Sequence, residues 1–457
     1  MVDKTASAVN DLTALYRLYE ERISVIPAAE NDIFESLVTF DSCKTAPIHR
    51  WYTFKEGFSD RLVNALNQHG IISKKESSIL LDPFCGVGTT LLSCQLQGAN
   101  ENVHTAVGIE RNPAIHSIAQ SKLNWREYRL GTIDKLLRAL RLPKRGRRPS
   151  VPVPELSTLH ETRKSGKRAF DPQVLADLLS LRERIKRECG LNPERDFFML
   201  AWTVVIEQAS NTRKDGRALR LMEQSELPNV RELFFAQCQL MIEDLKSLGR
   251  QTHRSICTTA ILGDAKHIPF LDNTFTGLCY SPPYLNNIDY TEVYKLELWL
   301  RGHVNTQEAF RSLRLKTFRS HPSITFPFTS ICDRLRSQTW IRQLKKALIN
   351  SLPADEFRQM RESLFSGYID DMLLTLIEQK RVAKPGAPIV CVVGNSLHGG
   401  SANHKVPVCT DLLISAAAKA VGLGIDHIQI ARQLPRRDNK NGWLRESLVV
   451  MRKPKNL

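Results

Sequence analysis

Two stretches constrain this chain more than any other part of it: "SSILLDPFCGVGTTLLSCQLQGAN" (77–100) and "TAVGIERNPAIHSIAQSKL" (105–123). The first reads as a short apolar strand (79–81), a glycine-bearing turn (82–88) and a helix (89–97) with Gly98 just beyond it. The second repeats the plan, with a strand at 105–109, Glu110 at its end and a helix from 113 onward. Strand, helix and strand in immediate succession form a βαβ unit. Such a unit requires parallel pairing and a right-handed crossover, so the chain is expected to build an α/β sheet.

The sheet text then breaks off for roughly 140 residues, far beyond an ordinary connection. This stretch is helical and basic. Its centre, 138–168, carries Lys or Arg at 138, 141, 144, 145, 147, 148, 163, 164, 167 and 168 against only Glu155 and Glu161. The Pro, Gly and Ser between them read as an extended arm. "DFFMLAWTVVIEQAS" (196–210), apolar nearly all round, reads as a buried helix running into the basic turn "NTRKDGRALR" (211–220). Strands resume within 258–284. A second helical insertion, about 291–382, contains "FRSLRLKTFRSHPS" (310–323). The chain closes with a strand at 388–396, a helix at 409–421 before Gly422, and strands at 426–432 and 444–453 joined by a polar turn. That short turn makes the last pair a hairpin, so the final strand should run antiparallel to the rest. Upstream of the sheet, 8–26 and 61–70 read as helices, the latter ending at Gly70.

Composition narrows the function classes. Apolar residues make up 42% and charged residues 25%, ordinary values for a globular chain. No apolar run is long enough to span a bilayer, and the N-terminus lacks a signal-peptide core, so a cytoplasmic location is expected. The ten cysteines include no C-x-x-C pair, which points to reduced thiols rather than zinc or disulfides. A formal charge of +16 suggests an acidic polymer as partner.

Three strand ends carry carboxylates. Asp82 precedes the glycines of "LLDPFCGVGTT", Glu110 ends the second strand, and Asp264 lies in "GDA" after the third. Glycines between a strand and a helix let the backbone approach a ligand, and a carboxylate at the next strand end suits ribose hydroxyls. Taken singly, each has a plain structural alternative: a tight βα turn, a solvated helix N-terminus, a capped turn. Together they resemble one nucleoside site. "GLCYSPPY" (277–284) ends a further strand, because two adjacent prolines cannot both donate to a ladder.

"DPFCGVGTT" followed some two hundred residues later by "SPPY" resembles the DNA amino-methyltransferases that use S-adenosylmethionine (AdoMet). The likeness covers about 40–125, 256–300 and 380–453, including a looser match at 46–63 and "KPG" (384–386) before a strand. It implies a Rossmann-like methyltransferase sheet of seven strands with an antiparallel last strand and two helical insertions. The corresponding divisions are 1–125, with N-terminal helices and the AdoMet-binding half; 126–255, a basic recognition insertion; 256–290, the catalytic strands; 291–382, a second helical insertion; and 383–457, the rest of the sheet. It further implies Asp82, Pro83, Phe84, Cys85, Gly86, Gly88, Thr89 and Thr90 around AdoMet, Glu110 and Arg111 at its ribose, and Asp264 and Ala265 near its adenine. Ser281, Pro282, Pro283 and Tyr284 would form the catalytic turn, and no metal is required.

The chemistry of that turn can be argued physically. An aromatic amine is a poor nucleophile because its lone pair is delocalised into the ring, so the site must hold its N–H bonds in acceptors that favour a localised pair. Ser281 hydroxyl and the Pro282 carbonyl are such acceptors, Pro283 restrains Pro282, and Tyr284 offers a stacking face for an extruded base. Serine before Pro-Pro leans, within the family, toward cytosine N4 over adenine N6. Double-stranded DNA is the expected partner, with a cognate restriction or defence system beside it. Lys144, Arg145, Arg147, Arg148, Arg213, Lys214 and Arg217 are the candidate phosphate contacts. Two other readings stand: methylation of RNA or of a protein glutamine, and a non-catalytic nucleic-acid-binding module with a decayed pocket.

Overall fold

The computed structural model describes the whole chain except residues 1, 29–32, 56, 73–77, 97–102, 143–152, 157–158, 160–167, 215–218, 223–225, 250–255, 327–334, 336–337, 400–404, 435–441 and 456–457. Its strands, in chain order, are β1 (Val25–Ile26), β2 (Ser78–Asp82), β3 (Val103–Glu110), β4 (Thr212–Arg213), β5 (Arg220–Leu221), β6 (Cys257–Leu262), β7 (Gly277–Tyr280), β8 (Pro388–Gly394), β9 (Ser396–His398), β10 (Val406–Val408), β11 (Gly424–Gln433) and β12 (Arg445–Arg452). Eight of them form one sheet in the order β1-β11-β12-β8-β7-β2-β3-β6.

Pairing is parallel from β8 through β7, β2 and β3 to β6, and β12 runs antiparallel to both β8 and β11. The α/β sheet and the antiparallel last strand are thus as expected, with one correction to the strand count. The expected helix over 8–26 ends at Glu20, and Val25–Ile26 joins β11 in parallel as an eighth strand. Two β-branched residues immediately before Pro27 favour extended backbone over helix, which is the local reason for the break.

The core follows from period-two alternation along buried strands. Leu80, Ala106, Cys279, Val390 and Val392 face one apolar cluster, and Leu81, Val107, Leu278, Ile389 and Val393 face the other. Helices of the first insertion, Pro172–Cys189, Glu194–Gln208 and Val230–Leu248, belong to the first cluster with the sheet itself. Val2–Glu20, Thr339–Asn350, Arg358–Val382 and Thr410–Ala420 cover the second face. The nine cysteines among the described residues are unpaired, and all but Cys257 are buried.

What matters for a site is the point where the chain changes direction. From β2 it proceeds to β3 and β6 on one side, then returns to the other side of β2 for β7. The connections leaving the carboxyl ends of β2 and β7 therefore diverge and leave a crevice.

Candidate active site

The turn after β2 is organised from beneath by Asp82. One carboxylate oxygen accepts the Phe84 N–H at 3.0 Å and the other the Thr90 hydroxyl at 2.6 Å, which ties the strand end to the helix Thr89–Leu96. Asp82 is 1% exposed, and burial pushes its carboxyl up to about 7 against the pull of these two bonds. Asp82, expected at the cofactor, does not line the cleft and instead braces the glycine turn from beneath. Thr90 is its partner, and Cys85, whose N–H donates to the Ile109 carbonyl at 3.0 Å, pins the turn to β3. Gly86 and Gly88 both take positive φ, 53° and 81°. A Cβ on Gly86 would also meet the Phe54 ring at 3.1 Å, so only glycine lets Phe54 lie on the loop.

Glu110 ends β3 and accepts two backbone donors, Gly86 N–H at 3.1 Å and Asn112 N–H at 2.7 Å. It thereby couples the glycine turn to the start of the helix Pro113–Leu123, whose N-cap is Asn112. Burial pushes Glu110 up to about 7, with the Asn112 and Gly86 bonds opposing. The Arg111 Nε and the Asn112 side-chain nitrogen are buried without a partner among the described residues, two donors left for a ligand. Beyond β6, Asp264 accepts the Lys266 N–H at 3.0 Å. Beyond β7, the two prolines end the ladder, and Ser281 Oγ has no hydrogen-bond partner among the described residues.

The second insertion roofs the crevice. After the helix Gln307–Leu315, Arg319 is bound to Asp371 through its backbone N–H at 2.8 Å and its guanidinium at 2.7 Å. That anchor sets Phe318 edge-on to Phe84 and Tyr368. Opposite, Phe54 and Tyr294 stack with centroids 5.4 Å apart and planes 4° apart, and Tyr290 continues the stack at 6.5 Å from Phe54.

The result is a cleft of about 920 Å³, counting the part open to solvent. Among the expected residues it brings together Pro83, Phe84, Gly86, Glu110, Arg111, Asp264, Ala265, Ser281, Pro282 and Pro283. It does not bring in Asp82, Cys85, Gly88, Thr89, Thr90 or Tyr284. Tyr284 is 6% exposed and packed in the second core cluster over Gly394, where a Cβ would stand 3.0 Å from its ring. So packed, Tyr284 is not among the residues that line the cleft. The aromatic walls are Phe54, Phe84, Tyr290, Tyr294 and Phe318. Sequence reasoning missed Asn112, Tyr290, Tyr294, Lys316, Phe318 and His321 as lining residues. For Asn112 the Asn-Pro helix start was a visible signal, and for the 316–321 segment there was none.

AdoMet fits these walls. The Glu110 oxygens have lone pairs left for ribose hydroxyls, the orphaned Arg111 and Asn112 donors lie beside them, and the aromatic wall offers π faces to a sulfonium.

The candidate phosphate contacts separate. Lys144, Arg145, Arg147, Arg148 and Arg217 lie outside the described residues. Arg213 is exposed on β4, which pairs with β5 as a small hairpin. Lys214 is corrected: its side chain is 9% exposed and its ammonium sits between Glu207, at 2.9 Å, and Glu297, under the Tyr294 ring. Burial alone would lower its affinity for a proton, but Glu297 and Glu207 more than offset this and raise it. Its charge is balanced by the buried Glu297 and the half-buried Glu207.

No protein-family model matches the chain. It is 25% identical, over 96% of its length and 92% of the relative's, to "Type II methyltransferase M.BsoBI" of Geobacillus stearothermophilus. It is also 25% identical, over 98% of its length and 95% of theirs, to "Type II methyltransferase M.AvaI" of Nostoc sp. and of Anabaena variabilis. These relatives bear out the methyltransferase resemblance. A solved structure, the rRNA methyltransferase aviRa from Streptomyces viridochromogenes, superposes with a TM-score of 0.30 at 10% identity over 93% of this chain and 95% of its own, too loosely to carry an argument. No helix among the described residues is long and apolar enough to cross a membrane.

Proposed function

We propose that this chain, a DNA methyltransferase using AdoMet, transfers the methyl group to an exocyclic amino group of a base extruded from the duplex, with cytosine N4 favoured over adenine N6. The observation that carries the reading is the convergence of the β2, β3, β6 and β7 ends on one cleft that Ser281, Pro282 and Pro283 help to line. AdoMet supplies an activated methyl on a sulfonium. The chain does the rest. Glu110, with Arg111 and Asn112, orients the nucleoside portion, and the glycine turn braced by Asp82 receives it. Ser281 Oγ and the Pro282 carbonyl accept the amino N–H bonds and favour a localised nitrogen lone pair, a preorganised arrangement of dipoles. The base stacks on the aromatic wall of Phe54, Tyr290 and Tyr294, since a ring inside the duplex cannot reach the cleft. The leaning toward cytosine rests on the short neutral Ser281. A cognate restriction enzyme fits the Type II relatives and belongs to the same proposal.

The test is incubation with labelled AdoMet and mixed-sequence DNA, digestion to nucleosides and separation by mass. N4-methylcytosine is expected. N6-methyladenine would keep the mechanism and change the base. Methylation at cytosine carbon 5 would overturn it, because that reaction uses a cysteine nucleophile and gives Ser281 no such role. Label transferred only to RNA or protein would overturn the substrate class.

A further inference from the structure

One histidine in the cleft has a proton arrangement that can be worked out atom by atom. His321 is 3% exposed and lines the cleft. Its Nδ1 lies 2.8 Å from Ser323 Oγ and 3.4 Å from an Asp289 oxygen. Ser323 Oγ also meets the Arg314 guanidinium at 2.8 Å and the same Asp289 oxygen at 2.5 Å. Arg314 can only donate, and a hydroxyl has one proton and two lone pairs. An ionised carboxylate can only accept, so the single Ser323 proton points at Asp289. Ser323 therefore accepts from Arg314 and from His321, which puts the imidazole proton on Nδ1. Nε2 is left as a bare lone pair, buried and without a partner among the described residues.

The charge surroundings keep the ring neutral. Burial lowers its proton affinity first; Asp289 and Glu292 raise it, Arg314 lowers it further, and the outcome lies below the ordinary histidine value. Asp289 itself stays ionised: burial raises it, but the His321, Ser323, Thr291 and Arg314 contacts bring it below its usual range. Arg314 also reaches Glu292 at 3.3 Å. A neutral imidazole backed by a buried carboxylate is an acceptor that gains a stabilising partner as soon as it takes a proton. Its place in the fold points to the base side of the cleft. Asp289, which steadies it, follows the Ser281–Pro283 turn in the same loop, and Tyr290 and Thr291 beside Asp289 are also cleft walls.

We propose that His321 is the proton acceptor of the methyl transfer, its Nε2 accepting an N–H of the target amino group and taking that proton as the new N–CH3 bond forms. The methyl carbon's bond to sulfur breaks with its electron pair left on sulfur, the amino nitrogen gains the methyl, and the displaced proton ends on Nε2, with Asp289 compensating the imidazolium through Ser323. One of the amine's two N–H bonds is then shared with His321 Nε2 and gives up its proton there, while the other stays with the Ser281 and Pro282 acceptors that orient the amine. The inference rests on the amino-methyltransferase reading above.

The experiment measures AdoMet affinity and single-turnover DNA methylation at saturating AdoMet from about pH 4.5 to 9 for the wild type, His321→Ala and His321→Gln, together with nitrogen NMR of histidine-labelled wild type. The wild-type spectrum should show one buried imidazole with a bare Nε2. Its methylation rate should fall as pH drops and His321 becomes protonated. His321→Ala should bind AdoMet within about twofold of wild type and lose about 10²-fold or more in rate, the usual share of a positioned acid or base. His321→Gln, an acceptor without basicity, should lie nearer to alanine and show no fall at low pH. Alanine within twofold of the wild-type rate would overturn the proposal while leaving DNA methylation by the wild type intact. An alanine variant whose AdoMet affinity falls as far as its rate would overturn it too, by placing His321 on the cofactor. A wild type that puts no methyl on DNA would end both readings.

Discussion

Replacing Glu110 probes how the cleft holds its cofactor. Each of its oxygens already accepts one backbone N–H, from Gly86 at 3.1 Å and Asn112 at 2.7 Å, and has a lone pair left for a ligand hydroxyl. A hydrogen bond to a charged group contributes about 1.5–3 kcal/mol, so Glu110→Ala should weaken AdoMet roughly 10- to 150-fold at pH 8. The effect carries a pH signature. With its folded value pushed up to about 7 from an ordinary 4.5, Glu110 contributes stability to the ligand-free protein that is complete below about pH 4.5 and lost as pH rises through 7. Ligand hydroxyls donate best to the ionised form, so binding pulls the proton off. AdoMet affinity should therefore rise from pH 6 to 8, with proton release largest below 7, and the thermal shift produced by AdoMet should grow over the same window. Calorimetric titration at pH 6, 7 and 8, in two buffers of different ionisation heat, measures affinity and released protons together. Glu110→Gln should bind weakly and without the pH dependence. Wild-type affinity in Glu110→Ala, or a pH dependence that survives in Glu110→Gln, would refute the reasoning, the second by shifting the titration to another group such as Asp82.

Four further outcomes are expected. Asp82→Ala should destabilise the fold by about 1–3 kcal/mol in urea unfolding, because the Phe84 N–H and Thr90 hydroxyl lose their buried acceptor; Thr90→Val should reproduce part of that loss, and Asp82→Ala at wild-type stability would return Asp82 to the cofactor. Tyr284→Ala should cost about 3–5 kcal/mol as a core cavity, visible as a lowered unfolding midpoint, whereas wild-type stability with lost methylation would restore its stacking role. Neutralising Lys144, Arg145, Arg147 and Arg148 should weaken DNA binding for all sequences and reduce the log-log salt slope by about one unit per lost contact. By contrast, Lys214→Ala should leave that slope unchanged and destabilise by about 3–5 kcal/mol, since Glu297 is left charged and buried.

Local sequence determined the parts of this protein whose physics is local. Continuous apolar strands, the glycine turn after Asp82, the proline stop after Tyr280 and the short C-terminal hairpin each follow from backbone sterics and hydrogen-bond capacity over a few residues, and they specified the sheet and its antiparallel last strand. They also located the β2, β3, β6 and β7 ends as the cleft. Which way a side chain faces there was decided by tertiary structure. Asp82 and Glu110 both end strands, yet the Thr90 hydroxyl turns Asp82 inward while Gly86 and Asn112 hold Glu110 at the cleft wall. Tyr284 and Lys214 read as surface groups by residue type, but Gly394 leaves a space for the ring and Glu297 a counter-charge for the ammonium, from positions over eighty residues away in sequence. The 316–321 segment shows no pattern of its own. Its place over the cleft depends on Asp371, Asp289 and Arg314, and the tautomer of His321 on the single proton of Ser323, relations that exist only once distant stretches of chain are packed together.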